Sequence, residues 1–215
     1  METKAGLARG DVAGVYDGKA RIYDTWAWLT ETRARRRALE LAAIYDGESV
    51  LEVAVGTGLA FADMLAANPH GRCEGVDVSP GMLAQARAKA EASGHANWQL
   101  HIGDAYALDF PDESFDLVVN AYMLDLLPTA DFPHVLGEFH RVLVPGGRLV
   151  LVNMAPASHA AYRLWMWLYL RDPGFVGGCR GVEAADVVTR SGFTIRDRER
   201  LRQLGFPSEI VLAVK

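Results

Sequence analysis

The chain has 215 residues, half of them apolar, with 27 acidic and 22 basic side chains and a formal charge of −5. This length suits one well-buried core and is too short for two ordinary domains. The acidic balance argues against a protein whose main task is to grip nucleic acid, because such proteins need a basic face. Cys73 and Cys179 lie far apart without histidine companions, so the sequence indicates neither a zinc site nor a redox pair.

The first 45 residues predict helices that precede the first strand. They lack the apolar core of a signal peptide, and no apolar run of the chain reaches the roughly 18 residues that span a bilayer. We therefore expect a cytoplasmic protein. The basic group at Arg33, Arg35, Arg36 and Arg37 is typical of a solvated helix face. The alternative is peripheral contact with anionic lipid.

From 46 to 153, short apolar runs alternate with helical periods, which predicts βα units on a largely parallel sheet buried on both faces. This is a doubly wound α/β core. Ser79 and Pro80 predict a capped helix start, and Gly94 the end of that helix. A further helix over Phe132–Leu143 is expected to stop before the Pro-Gly-Gly at 145–147.

The remaining residues, 154–215, predict an aromatic helix (AAYRLWMWLYL), a short helix near Glu183–Ser191 and two closing strands. We expect Pro207-Ser208 to form the turn into the last strand. The whole chain is interpreted as one domain in three parts: a helical lid (1–45), a cofactor-binding core (46–153) and a substrate-side helix with closing strands (154–215).

A glycine-rich turn, LEVAVGTG, follows the first predicted strand. Gly56 and Gly58 allow a sharp bend and close approach to a ligand, since no Cβ intrudes. A dinucleotide site would want a small residue at Phe61, and a phosphate loop would end in Gly-Lys-Ser or Gly-Lys-Thr. Both features are missing from the turn. It therefore favours a nucleoside-like ligand over a pyrophosphate.

The stretch Glu52-x-Ala54-x-Gly56-x-Gly58 resembles the [DE]-x-G-x-G-x-G signature of class I S-adenosylmethionine-dependent methyltransferases, with alanine at its first glycine. GVDVSPGML, IGDAYALDFPDESFDLVV and RVLVPGGRLVLVN resemble further stretches of that family in the same order. The resemblance implies a Rossmann-like, seven-stranded, mainly parallel sheet with an antiparallel last strand. It also implies S-adenosylmethionine as cofactor, leaving as S-adenosylhomocysteine.

The opening segment GVYDGKARIYDTW resembles an element that covers cofactor and acceptor in ubiquinone/menaquinone C-methyltransferases and related small-molecule enzymes. By resemblance, Asp77 takes the ribose hydroxyls, Asp104 the adenine amine, and Ala105 contributes backbone. The cofactor-binding residues so implied are Tyr16, Tyr23, Glu52, Ala54, Gly56, Gly58, Asp77, Val78, Met82, Gly103, Asp104, Ala105 and Asn120.

Methyl transfer is an in-line displacement, so the protein must align the acceptor and exclude water, and no metal is required. We expect Asn120, Tyr122 and Asp125 to face the methyl group after the fourth strand. Asp125 and His159 are the candidate catalytic bases, which a carbon or oxygen acceptor would need. Asn120 is not followed by the Pro-Pro-aromatic motif of amino-methylating nucleic-acid enzymes.

The sequence therefore predicts methyl transfer to a small, hydrophobic or aromatic molecule, by quinone-like C- or O-methylation, without a nucleic-acid partner. The alternatives are a phospholipid or amine N-methyltransferase, a nicotinamide-dependent oxidoreductase and a non-catalytic binding module. A homodimer is left open.

Overall fold

The computed structural model describes residues 29–172 and 178–215, and its centre is a seven-stranded sheet in the order β3-β2-β1-β4-β5-β7-β6. The strands are β1 (Ser49–Val53), β2 (Arg72–Asp77), β3 (Trp98–Ile102), β4 (Phe115–Ala121), β5 (Leu143–Met154), β6 (Thr194–Gln203) and β7 (Phe206–Val214). β7 alone runs antiparallel to its neighbours β5 and β6. The predicted mainly parallel sheet with an antiparallel last strand is confirmed.

Six α-helices of the described residues cover the two faces of this sheet. They are α1 (Thr32–Ala42), α2 (Leu59–Ala67), α3 (Pro80–Ala92), α4 (Phe132–Val142), α5 (Ala160–Arg171) and α6 (Ala185–Arg190). Separate apolar clusters fill the two faces, as expected of a sheet buried on both sides. α1 contributes Ala34, Ala38 and Ala42, small residues four apart that share one helix face and approach the sheet closely.

Local signals in the sequence set both ends of α3. The Ser79 hydroxyl accepts a hydrogen bond from the Met82 N–H at 3.1 Å, and Pro80 is the first residue of α3. Gly94 follows the end of α3 with φ at +76°. Both predictions are confirmed.

One predicted helix end is confirmed and one predicted turn is wrong. α4 ends at Val142, before the Pro-Gly-Gly at 145–147, and Leu143 is buried and pairs with Phe115 at the start of β5. The Pro-Gly-Gly lies within the range of β5, at a register shift in its pairing with β4, and the Gly146 φ is +79°. In the closing hairpin, Leu204 and Gly205 form the turn, with φ at +47° and +85°. Positive φ at both central residues matches the twist of paired strands, and Pro207 therefore pairs inside β7.

β6 is the outer strand of the sheet on this side, and it is unusually charged. Its pairing with β7 shifts register between Ile195 and Asp197. Arg198 and Arg200 both donate to Oε1 of the buried Glu209 on β7, at 2.8–3.0 Å. These contacts tie the edge strand to the sheet through side chains as well as backbone.

Only part of the predicted lid can be compared with the structure. The helix predicted before Tyr45 is present as α1, whereas Tyr16 and Tyr23 lie outside the described residues. Among the described helices, none combines the length and apolar character needed to cross a bilayer.

Candidate active site

The sheet creates a cavity at its carboxyl edge, where β1 and β4 are neighbours and the chain order reverses. Parallel strands bring their carboxyl ends to one edge, and ligands of doubly wound sheets bind at this reversal. Eight of the residues predicted to bind cofactor lie in the cavity wall: Ala54, Gly56, Asp77, Val78, Met82, Gly103, Asp104 and Ala105.

Asp77, at the end of β2, joins the two turns on the polar side of the cavity. Its Oδ2 accepts the Gly56 N–H at 2.8 Å, and its Oδ1 accepts the Ser79 N–H at 2.9 Å. One carboxylate therefore fixes the turn after β1 against the turn after β2. Its side chain still lines the cavity and remains 8% exposed.

Three alternate residues of the turn after β1 have positive φ: Ala54 at +59°, Gly56 at +58° and Gly58 at +82°. For alanine this conformation is strained, and such strain is often kept at functional sites. Gly58 is outside the cavity wall. A Cβ on Gly58 would lie 2.7 Å from the Ala86 Cα, so this glycine allows α2 and α3 to approach each other.

Glu52 lies just behind this turn, outside the cavity wall, and its carboxylate is almost fully buried. Its Oε2 has no hydrogen-bond partner among the described residues. Burial raises the Glu52 pKa well above its usual range, against the opposing charge of Arg35 from α1. Glu52 is therefore a buried group behind the turn and not part of the cavity lining.

On the next side of the cavity, Asp104 shapes its own turn. Its Oδ1 accepts the Tyr106 N–H at 3.1 Å, and its carbonyl accepts the Ala107 N–H at 3.0 Å. The Gly103 N–H donates to the Asp77 carbonyl, which continues β2–β3 pairing to the rim.

The opposite side of the cavity is apolar and belongs to the segment after β4. Ala121, Tyr122, Met123, Leu126 and Leu127 line it. Tyr122 has φ at +53°, and its hydroxyl is 2.7 Å from the Ser208 Oγ on β7. The sequence singled out Tyr122 but missed the other four, because apolar residues after a strand look like ordinary core.

Comparison with known proteins identifies the family. A methyltransferase domain family matches residues 50–147. A demethylmenaquinone methyltransferase of Thermus thermophilus is 39% identical over 169 residues, which are 78% of this chain and 74% of that protein. A ubiquinone/menaquinone biosynthesis C-methyltransferase of Geobacter sulfurreducens is 33% identical over 171 residues, 78% of this chain and 65% of that protein. The chain is a class I S-adenosylmethionine-dependent methyltransferase.

Membership of this family removes the nicotinamide-dependent alternative. A phosphatidylethanolamine N-methyltransferase of Cereibacter sphaeroides is also similar, at 37% identity over 64% of this chain and 68% of that protein. Among solved structures, an S-adenosylmethionine-dependent methyltransferase of Aquifex aeolicus superposes with a TM-score of 0.70 at 17% identity, covering 92% of this chain and 97% of that one. At that identity the match shows the fold alone.

Asp125 of this methyltransferase lies behind the apolar wall, in a short 3-10 helix at Leu124–Leu126, and is fully buried. Its Oδ2 accepts the Met154 N–H at 3.2 Å, and its Oδ1 has no hydrogen-bond partner among the described residues. Burial raises the Asp125 pKa to about 7, with the Arg180 charge opposing the rise. The structure thus places Asp125 beside the cavity but not in its lining.

Asn120 and His159 are also outside the lining. The Asn120 Nδ2 donates to the Val53 carbonyl at 2.8 Å, so this buried amide joins the ends of β4 and β1. The His159 Nδ1 accepts the Tyr162 N–H at 3.1 Å and thereby caps α5. Because Nδ1 accepts this hydrogen bond, the neutral tautomer carries its proton on Nε2.

Proposed function

We propose that this methyltransferase transfers a methyl group from S-adenosylmethionine to a ring carbon of a small aromatic, quinone-like molecule. The proposal rests mainly on one observation: the same cavity has a polar wall beside Asp77 and Asp104 and an apolar wall from Ala121 to Leu127. A cofactor with a ribose and a flat apolar acceptor would each find suitable surroundings there. The relatives named for demethylmenaquinone support this acceptor class.

The polar wall fits the cofactor in three respects. Asp77 is an acceptor-only group suited to paired ribose hydroxyls, and it is already oriented by two backbone N–H groups. We propose that the buried Glu52 Oε2, which has no hydrogen-bond partner among the described residues, binds the ammonium of the methionine part from behind the turn. Asp104 and Ala105 lie at the rim proposed for adenine. When bound, S-adenosylmethionine supplies an electrophilic methyl group on a positively charged sulfur.

The apolar wall would hold the acceptor in line with that methyl group and exclude water. A ring carbon that gains a methyl group must lose a proton, so a base is needed. Of the two titratable groups at 122–127, Tyr122 stays protonated because burial raises its pKa well above 10, whereas the Asp125 pKa is about 7. We propose Asp125 as the base, a role that requires the segment at 122–127 to shift so that the buried carboxylate reaches the acceptor. For His159 we propose hydrogen-bond donation from Nε2 instead.

Phospholipid N-methylation is the second candidate, since a phosphatidylethanolamine N-methyltransferase is among the similar proteins. An amine needs only to be deprotonated before it attacks, so Asp125 would then be dispensable. The chain spans 62% to 74% of the length of the first demethylmenaquinone methyltransferases it matches. The acceptor is therefore best tested directly on this chain.

Purified protein with S-adenosylmethionine labelled in its methyl group should be given two acceptors separately: a reduced prenyl-naphthoquinone in detergent, and phosphatidylethanolamine vesicles. We expect label in the quinone ring, and much less label after Asp77→Ala when S-adenosylmethionine is limiting. Label only in the lipid amine would replace this proposal with the second candidate. The three-part division of the chain, a cytoplasmic location and a homodimer stay predictions.

A further inference from the structure

α5 turns large apolar side chains outward. Leu164, Trp167 and Leu170 are 59%, 49% and 71% exposed, and their spacing of three places them along one helix face. The opposite face packs inward through Tyr162, Trp165 and Tyr169, with the Trp165 ring edge-on to Phe206 at 5.7 Å. α5 thus has two apolar faces, of which the core uses only one.

The outward face is basic as well as apolar. At helical spacing Arg163 and Arg171 fall on it, and the Arg171 guanidinium lies 4.4 Å from the centre of the Trp167 ring. The twelve residues of α5 include no acidic side chain. In a chain of net charge −5, this face therefore carries only positive charge.

The tip of the β6–β7 hairpin extends this surface. Leu204 at the tip is 77% exposed, and a Cβ on its neighbour Gly205 would be 3.2 Å from the Ala161 Cβ, so the tip lies against the first turn of α5. We call Leu164, Trp167, Leu170 and Leu204 the apolar patch. A contiguous apolar patch with a charged border is typical of an interaction surface, whereas single exposed apolar residues are not.

The apolar patch lies at the carboxyl edge of the sheet, the same edge that carries the cavity. α5 follows the carboxyl end of β5, and β6, which runs parallel to β5, ends at the hairpin tip. The Tyr122–Ser208 hydrogen bond connects the cavity wall to β7, three residues after Gly205 at the tip. A surface seated on the patch would be close to the cavity mouth.

We infer that the apolar patch docks the enzyme onto an anionic lipid bilayer. Trp and Leu side chains would enter the boundary between headgroups and acyl chains, while Arg163 and Arg171 meet lipid phosphates. A second copy fits less well, because a symmetric contact would oppose arginines to arginines across the interface. The inference goes beyond the proposed function and holds for either candidate acceptor.

The basic group at 33–37, for which the sequence left lipid contact as the alternative, is partly paired within the protein. Arg37 is paired with Glu199 at 2.7 Å and Arg35 lies 3.5 Å from Asp63, so both charges are partly engaged within the protein. The Arg33 N–H donates to Gln203 near the hairpin tip, which places the start of α1 beside the apolar patch.

Sedimentation of the full chain with vesicles tests this inference. Vesicles of phosphatidylcholine mixed with phosphatidylglycerol should bind the protein, and phosphatidylcholine alone should bind it much less. The combined change Leu164→Ser, Trp167→Ser and Leu170→Ser should abolish binding. Arg163→Gln with Arg171→Gln should weaken binding by about thirtyfold, given about 1 kcal/mol for each of the two basic residues at an anionic surface.

A matched control replaces two exposed apolar residues elsewhere, Tyr45→Ser and Ile102→Ser, which are 67% and 71% exposed. The control should bind as the unchanged protein does, and all variants should keep their circular dichroism spectrum. Failure of the unchanged protein to bind anionic vesicles, or equal loss in the control, would overturn the inference. A dimer seen by light scattering and lost only in the triple variant would instead assign the patch to a second copy.

Discussion

The two walls of the cavity are built by different means. On the polar side, Asp77 and Asp104 orient backbone turns, and glycines or Ala54 accept the positive φ those turns require. On the apolar side, position depends on long-range side-chain contacts, such as Tyr122 with Ser208 and Asp125 with the backbone of Met154. Local chain geometry shapes the first wall, whereas tertiary packing shapes the second.

In the proposed function, the polar wall corresponds to cofactor binding, which the family shares, and the apolar wall to acceptor binding, which can vary. The cofactor is common to the family, and the turns proposed to hold it here are short enough for local motifs to encode. An acceptor wall made of packed apolar residues can change shape through substitutions scattered along the chain. Variants in the polar wall should therefore alter cofactor affinity or folding, and variants in the apolar wall should alter turnover.

The largest expected effect comes from a matched pair of glycine substitutions. Gly58→Ala introduces a Cβ 2.7 Å from the Ala86 Cα at φ +82°, and should cost about 3 kcal/mol or more of unfolding free energy. The Cβ added by Gly56→Ala would have no atom within 4 Å, so this variant should lose only about 1 kcal/mol of unfolding free energy, because of its positive φ. Urea unfolding of both variants measures the contrast. Equal losses would mean that α2 and α3 are not packed as described.

Asp77→Ala should weaken S-adenosylmethionine binding by about 1.5–3 kcal/mol, because two charge-assisted hydrogen bonds to the ribose are lost. Calorimetric titration measures the change. Asp77→Asn is the control: its amide oxygen can replace one acceptor, so the loss should be smaller. Unchanged affinity in the alanine variant would place the ribose elsewhere.

Asp125→Asn tests the apolar wall. With a pKa of about 7, Asp125 is deprotonated only toward higher pH, so a base at this position makes turnover rise through neutral pH. The asparagine variant should lose this rise and about a hundredfold or more in kcat, while cofactor affinity stays the same. Full turnover with an unchanged pH profile would remove Asp125 from the reaction and favour an amine acceptor.

The same variant makes a prediction about stability. The folded pKa of Asp125 lies above the ordinary value of 3.8 for an aspartate, so the fold prefers the protonated carboxyl. Its stabilising contribution is complete below about pH 4 and is lost as the pH rises toward about 7. The unfolding free energy of the asparagine variant should therefore fall less over this interval. Parallel slopes for the two proteins would contradict the raised pKa.

Ala54→Gly should have the smallest effect. Glycine accepts φ near +59° without a Cβ penalty, and we expect a gain of about 0.5 kcal/mol after its greater freedom in the unfolded chain is counted. Chemical unfolding and cofactor titration together show whether the alanine methyl group strains the turn or contacts the ligand. Weaker cofactor binding by the glycine variant would reveal a favourable contact of that methyl group.

The sequence predicted the parts of the molecule that short-range rules determine. The βα alternation, the Ser79 cap and the turn after β1 all depend on neighbours within a few residues. The hairpin turn was misplaced because Pro207 is a strong turn signal, although it lies in β7 and pairs with Arg202. Met123, Leu126 and Leu127 could not be assigned to the cavity, since only the sheet topology separates wall from core. The assigned roles of the site residues stay predictions.

The charged outer strand β6 bears on how the protein behaves at high concentration. An exposed strand edge is a template on which another chain can add a strand, and flat apolar edges are the most hazardous. The register shift at Ile195–Asp197 and the arginines at 198 and 200 make this edge irregular and strongly solvated. The charged edge of β6 therefore disfavours the addition of a strand from another molecule. Variants with fewer charges on β6 should aggregate at lower protein concentration than the unchanged protein, as light scattering would show.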